Sequence, residues 1–152
     1  MNLTLASDIR IAPTSKAAID SARAVAEFTS ELPQIDLVTH HVLHAGMYTR
    51  TIRMPADTVI TGALIKIPTI LILSGDATVI SDETIRLSGY GVIPASAHRK
   101  QVFIAHADTD LTMIFPTNAK TVEEAEAEFT DEVDLLISRA RGERDVIIIT
   151  GE

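Results

Sequence analysis

Five histidines, one buried-looking tyrosine–arginine pair and a few clustered cations carry most of the chemistry open to this 152-residue chain. His40, His41 and His44 sit close together just before Gly46. On a strand, His40 and His44 share one face and His41 takes the other. Two imidazoles on one face, completed by His98 or His106, would make a metal site. The other reading is surface or loop histidines making ordinary hydrogen bonds. Tyr48, Arg50, Ile52 and Met54 alternate along the next stretch, so they share a face opposite Thr49, Thr51 and Arg53. If Ile52 and Met54 face a core, Tyr48 and Arg50 do too. An inward arginine needs an anionic or polar partner, because an unpaired buried charge is costly. That partner is either an internal Asp or Glu, or a ligand carboxylate or phosphate held bidentately with Tyr48 donating a hydrogen bond. His106, in Ala105-His106-Ala107-Asp108, ends a strand and is either a local hydrogen-bonding group or a pocket residue. Arg99 and Lys100 beside His98, and Lys66, read as solvent-facing; if Arg50, Arg99 or Lys100 converge, they make one end of the fold basic.

The elements that must position these groups are mostly strands. Asn2 to Leu5 alternates weakly as an edge strand. Pro13-Thr14-Ser15 opens a helix, with Thr14 or Ser15 capping its first turn. Ala18, Ile19, Ala22, Val25, Ala26 and Phe28 form its apolar stripe, and Pro33 stops it. From 35 to 115, short apolar runs alternate with Gly, Pro, Asp and Ser, the pattern of an all-β sandwich or barrel. The runs predict strands at 35–43, 46–54, 58–61, 69–73, 76–80, 83–87, 91–93, 101–106 and 110–115. Ser81-Asp82 reads as a hairpin turn and Gly75-Asp76 as another tight connection. Thr121-Val122-Glu123-Glu124 is a capping box opening a helix over 121–140. Its apolar face carries Val122, Ala125, Phe129, Val133, Leu136 and Ile137. Glu123, Glu126, Asp131 and Asp134 form an opposite face, read as solvated or as a partner surface. Arg139 to Gly142 ends that helix. Val146 to Ile149 is a β-branched run that is an aggregation hazard if left bare, so it is expected to pair within the chain or with a neighbouring subunit. The chain thus divides into 1–34 (strand and helix extension), 35–117 (barrel) and 118–152 (helix and strand of the same domain).

One window ties these pieces to a family. Pro55 to Val59, then Gly62-Ala63-Leu64-Ile65-Lys66-Ile67-Pro68-Thr69, then Ile70 to Val79 resembles the first conserved motif of the cupin superfamily. Leu32-Pro33-Gln34, His44 to Arg50 and Ala105 to Thr109 resemble more narrowly the small single-domain cupin-like proteins of phages and prophages, most of which have no established activity. The resemblance implies an all-β fold: a single jelly-roll β-barrel with an N-terminal and a C-terminal helix outside it. It also implies a metal held by histidines near Ile65 and Thr69, with the second motif's histidine at His98. Neither Ile65 nor Thr69 is a good ligand, and no His, Asp, Glu or Cys stands in the middle of that motif. The barrel frame is present without its metal chemistry, and no cofactor is expected.

Composition narrows the function classes. The chain carries 21 acidic and 13 basic residues, a net charge of −8, which argues against general nucleic-acid or anionic-membrane binding. Absence of cysteine excludes disulfides, zinc-thiolate sites and thiol nucleophiles. No apolar run is long enough for a membrane span and the N-terminus does not read as a signal peptide, so a cytoplasmic protein is expected, in the host cytoplasm if phage-encoded. The leading expectation is a non-enzymatic protein binding a small anionic ligand (an organic acid, sugar or nucleotide) in or at the mouth of the barrel, through Tyr48, Arg50, His106 and Thr69. The alternatives are a divergent metal enzyme of isomerase or dioxygenase type using His41, His44 or His98, and a structural phage component offering only an oligomer interface. A homodimer is expected from the apolar C-terminal strand and open barrel edges.

Overall fold

The computed structural model describes residues 9–136, 138 and 144–152. The Asn2–Leu5 strand expected from the sequence and residues 139–142, expected to end the second helix, lie outside the described residues. The fold is all-β with two flanking helices. Helix α1 spans Lys16–Ser30 and α2 spans Val122–Phe129. The strands are β1 (Val38–His44), β2 (Met47–Met54), β3 (Val59–Thr61), β4 (Thr69–Ile80), β5 (Thr84–Ala95), β6 (Val102–Ala105), β7 (Thr109–Pro116) and β8 (Arg144–Ile149). They form one curled sheet in the order β3-β6-β4-β7-β2-β1-β8, with β5 on the remaining edge of β4. Among the described residues no helix is long and apolar enough to cross a membrane.

The curl is made by β4. Its first half, Ile70–Ser74, pairs with β7, and its second half, Ala77–Ile80, pairs with β6. Between these halves Gly75 lies opposite Gly89 of β5. Both have positive φ, +144° and +88°, in the region glycine enters freely. The sequence predicts separate strands here, with a turn at Gly75-Asp76. Instead the strand runs on through a bend, because both arms of the β4–β5 hairpin keep their ladder while the other edge changes partner. A Cβ on Gly75 would lie 2.7 Å from the Asp108 carbonyl oxygen and overlap the Thr109 hydroxyl. Thr109 is locked there, accepting from the Asp76 N–H at 3.0 Å and donating to the Ala107 carbonyl at 2.9 Å. The 81–83 turn does close the hairpin, as expected, with Ile80 opposite Thr84.

Strand periodicity is obeyed in β2, where Tyr48, Arg50 and Met54 are buried while Arg53 is exposed. Inward residues form two adjoining clusters. One gathers Met54, Ile60, Leu71, Leu73, Val79, Phe103 and Leu111; the other gathers Leu43, Tyr48, Met113, Phe115, Ala125, Phe129 and Leu136 beneath α2. Ser15 caps α1, its hydroxyl accepting from the Ala18 N–H, and its own N–H donates to Asp82 at the β4–β5 turn. Thr14 instead is buried, accepting from the Lys100 N–H at 3.0 Å.

Two C-terminal expectations are corrected. Helix α2 stops at Phe129 rather than continuing toward 140. Thr130 is extended, its hydroxyl donating to the Leu64 carbonyl at 2.7 Å, and the Lys66 N–H bonds the Phe129 carbonyl at 2.8 Å. Tertiary bonds thus take the places the next helical turn would need, and a short 3-10 turn comes next at Val133–Leu135. The acidic face is not all solvated: Glu126 is buried, because α2 lies over the inward arginine of β2. The β-branched C-terminal run does pair within the chain, parallel to β1, from Val38 opposite Arg144 to Leu43 opposite Ile149.

Replacing Gly75 with Ala is expected to cost roughly 1–3 kcal/mol, from the positive φ and the overlap with Thr109. Urea unfolding of the variant measures it; a loss of under a few tenths would mean the bend tolerates a side chain.

Candidate functional site

The space between the two clusters is a cavity of about 110 Å³. Its walls are largely aliphatic and aromatic, including Ile52, Ile60, Leu71, Phe103 and Leu111, and Leu135, largely exposed, stands where it meets solvent. Four polar residues reach this wall: Arg50, Thr61, Arg99 and Gln101. Arg50 and Arg99 do converge, as the sequence allows, but they are in different electrostatic states.

Arg50 is neutralised from within. Its guanidinium donates to Glu126 at 2.9 Å and to the Ser138 hydroxyl at 3.0 Å, and it lies 5.6 Å from the Phe129 ring centroid. Of its two readings, the internal salt bridge is the arrangement present.

Arg99 meets no carboxylate among the described residues. Its Nη1 donates to the carbonyls of Ser96 and Ile67, at 2.7 and 3.3 Å, and its Nη2 to the Thr69 hydroxyl at 2.7 Å, with the Met113 sulfur at 3.7 Å. Every one of these acceptors is uncharged. Burial alone draws the guanidinium pKa down, to about 10, so it is still cationic near neutral pH. Arg99 and Lys100 are both buried, which corrects the expectation that they face solvent. The reason is local. His98 has φ +58°, and beyond it the chain runs back along the 62–65 segment. Ile65 and Arg99 exchange both backbone bonds, and the Gly62 N–H bonds the Gln101 carbonyl. Strand alternation from that bridge turns Arg99 and Gln101 inward and Lys100 to the other side. Lys100 pairs with Glu132 at 3.1 Å. Burial works to raise the Glu132 carboxyl, but the Leu64 N–H, Lys100 and Arg23 outweigh it and hold it below its ordinary range. Glu132 thereby fastens α1, the 62–65 segment and Lys100 together behind the cavity wall.

The other sequence candidates are dispersed. Thr69 holds Arg99 in place. Tyr48 is fully buried in the second cluster, 5.4 Å from Phe115 between ring centroids, and burial pushes its pKa up to about 12. Its hydroxyl lies 2.6 Å from His41 Nδ1, and His41 Nε2 lies 2.6 Å from Asp145. A tyrosine protonated at neutral pH donates to Nδ1, leaving the Nε2–H to donate to Asp145. The pair thus joins β8 to β1 and β2 rather than lining the cavity. His106 is exposed beyond β6, 2.6 Å from the Thr78 hydroxyl. His40 is exposed; His44 lies 2.6 Å from the Thr150 hydroxyl and 3.8 Å from Glu152; His98 is exposed at its turn. His41, His44 and His98 therefore do not converge, and among the described residues no three His, Asp or Glu side chains group as metal ligands. Where the cupin resemblance implies a metal, this chain presents Ile65 and two guanidinium groups. That donor set does not fit a divalent cation, whose charge the arginines would repel.

Thr61, Gln101, Glu126 and Asp145 are not singled out as site residues by the sequence. For Gln101 there is a signal: it alternates with Arg99 and Phe103.

No family model matches the sequence, and no curated protein matches it. Solved structures of similar course include cupin superfamily proteins. A cupin superfamily protein from Desulfitobacterium hafniense is 14% identical, with a TM-score of 0.45 over 59% of this chain and 87% of its own. A cupin-2 domain protein from Shewanella frigidimarina is 9% identical, with a TM-score of 0.43 over 64% of this chain and 98% of its own. A salicylate 1,2-dioxygenase variant from Pseudoaminobacter salicylatoxidans is 14% identical, with a TM-score of 0.45 over 76% of this chain and 36% of its own.

The His41 network predicts an acid sensitivity. Burial, the largest influence, and Arg50 lower the His41 pKa below the ordinary 6.5, against the raising effects of Asp145 and Glu126. The folded state then holds this proton more weakly than the unfolded chain. Its contribution is fully present above pH 6.5 and is lost as pH falls through the lowered folded value. Denaturant unfolding of the wild type and His41→Phe at pH 7.5 and 5 is expected to show a wild-type advantage that shrinks on acidification. An advantage that grew instead would contradict the neutral ring.

Proposed function

We propose that this protein is a non-enzymatic, cupin-like binding protein that seats the anionic group of a small ligand on Arg99 inside the barrel. The single observation that carries this is a buried guanidinium, at a cavity wall, whose partners among the described residues are all neutral. An uncompensated interior charge is costly, and an anion entering the cavity would offset that cost with charge-assisted bonds. Binding is favoured over catalysis by the groups at hand. A guanidinium, an amide and a hydroxyl have no proton to exchange near neutral pH, so they can hold and orient but are poor acid–base catalysts. Of the residues the sequence favours, Thr69 keeps a role as the anchor of Arg99, and Arg50 as a wall residue. The sequence resemblance to small phage-encoded cupin-like proteins supports a phage origin and a place in a host cytoplasm.

The test is thermal unfolding of wild type and Arg99→Met with carboxylates, sugar phosphates and nucleotides. A ligand at a hundred times its Kd stabilises by about 2.7 kcal/mol, an easily read shift. At least one anion class is expected to raise the wild-type midpoint and leave the variant unmoved. If no anion moves the wild type, the binding reading falls.

We also propose that two copies associate through β8. This strand ends the sheet order, and Val146, Ile147, Ile148 and Ile149 are all exposed on it. An apolar edge strand of this kind invites pairing with a second edge. Sedimentation equilibrium is expected to give a dimer for the wild type and a monomer for Val146→Lys/Ile148→Lys; a monomeric wild type would refute it. Dimerisation with no ligand response would favour a structural component instead.

A further inference from the structure

The atoms around Arg99 narrow its ligand to a chemical class, an inference that rests on the anion-binding reading. One further atom bears on it. Gln101 Nε2 is buried with no hydrogen-bond partner among the described residues, and Gln101 lines the cavity. Two other such atoms do not bear on it: Thr39 is not a lining residue, and Thr61 pairs with Val102 on the face opposite Gln101 and Phe103. Buried polar groups are nearly always satisfied, and each one left bare costs about 1–3 kcal/mol. Here one of them shares a wall with the uncompensated guanidinium of Arg99. One bare amide and one unanswered charge at a single cavity describe the complement of a ligand head.

The chemistry of that head is set by what the wall offers. Arg99 supplies positive charge and Gln101 an amide N–H. A carboxylate, acceptor-only with about four lone-pair sites, meets both at once. The rest of the wall is hydrocarbon: Ile52, Ile60, Leu71, Phe103 and Leu111 among others. A second ionic group on the ligand would be set against these side chains without a partner, since Arg50 is already matched by Glu126. The body must therefore be apolar.

Size limits it further. The cavity is about 110 Å³. An apolar cavity of about 150 Å³ holds benzene, so the fitting body is of that order or smaller. Nucleotides and sugar phosphates need sites several times larger, in the range of about 300–1,000 Å³.

We propose that the barrel cavity binds a small monocarboxylic acid, its carboxylate on Arg99 and Gln101 and its compact hydrocarbon body among Ile60, Leu71, Phe103 and Leu111.

The experiment is calorimetric titration of the full chain with butyrate, hexanoate and benzoate. Hexanol is the uncharged control and adipate the doubly charged one; phosphate and adenosine monophosphate are the other anions. At least one monocarboxylate is expected to bind at one per chain. Hexanol should bind at least tenfold more weakly than hexanoate, and adipate and the nucleotide should give no heat. Arg99→Met should abolish binding, and Gln101→Leu should weaken it by tenfold or more. Should Arg99→Met fail to fold, the Gln101→Leu variant, which keeps the charge and removes only a bare polar group, carries the test. If phosphate, adipate or the nucleotide binds through Arg99 while the monocarboxylates do not, the ligand class is wrong and the anion site stands. If hexanol binds as well as hexanoate, or Gln101→Leu binds every acid unchanged, the assigned head group is wrong. If nothing charged binds, the underlying reading fails with it.

Discussion

Two guanidinium groups face one apolar space, and among the described residues only one of them meets a carboxylate. That asymmetry organises the molecule. Arg50 and Glu126 form a pair buried on both sides, and the pair holds α2 against the inner face of β2. Ion pairs of this kind gain little over a well-packed apolar contact, but each partner becomes very costly to leave alone. Their value here is positional: the helix that roofs the second cluster has one seat, over Phe115 and Tyr48. Arg99 has no such answer within the described chain, and its charge is spread over carbonyls and a hydroxyl that can only soften it.

A lone buried cation needs a scaffold that fixes both its backbone and its side chain. The His98 turn and the Ile65–Arg99 bridge fix the first, and the Ser96 carbonyl and Thr69 hydroxyl hold the second. Glu132 adds a second constraint behind it, gathering Arg23, Lys100 and the Leu64 N–H. The bend at Gly75 and Gly89 matters to the same end. It turns the second half of β4 toward β6, bringing the Phe103 side of the sheet across from the Leu111 side and closing the space between them.

What the sequence discloses and what it hides divide along a physical line. The inward face of β2 is legible because a strand's alternation is local, and Met54 and Ile52 declare its direction. The caps of α1 and α2 are legible for the same reason. Gly75-Asp76 misleads, since a glycine followed by aspartate looks the same whether the chain reverses or merely bends; the ladder that decides between them is made by distant strands. The end of α2 is hidden because nothing near Thr130 reveals that Leu64 will take its hydroxyl. Arg99 is hidden more deeply. Beside His98 and Lys100 it looks like part of a solvated basic cluster, and its direction is fixed only by pairing with Ile65. Glu126 likewise is one acid among many until Arg50 is placed beneath it.

Strand β8 carries a consequence for how the molecule assembles. It pairs in parallel, where the other named strands pair antiparallel, and its docking on β1 brings together segments separated by most of the chain. Closing so long a loop costs entropy that no neighbouring contact repays in advance, so such pairings form slowly and late. Until then β1 is itself a bare edge, with the His41 ring open to water on the side that Asp145 later covers. The finished barrel therefore has an unzipped precursor with nearly all its walls in place. In that state the outermost strand remains a detachable seam, and the molecule would fray from this side first.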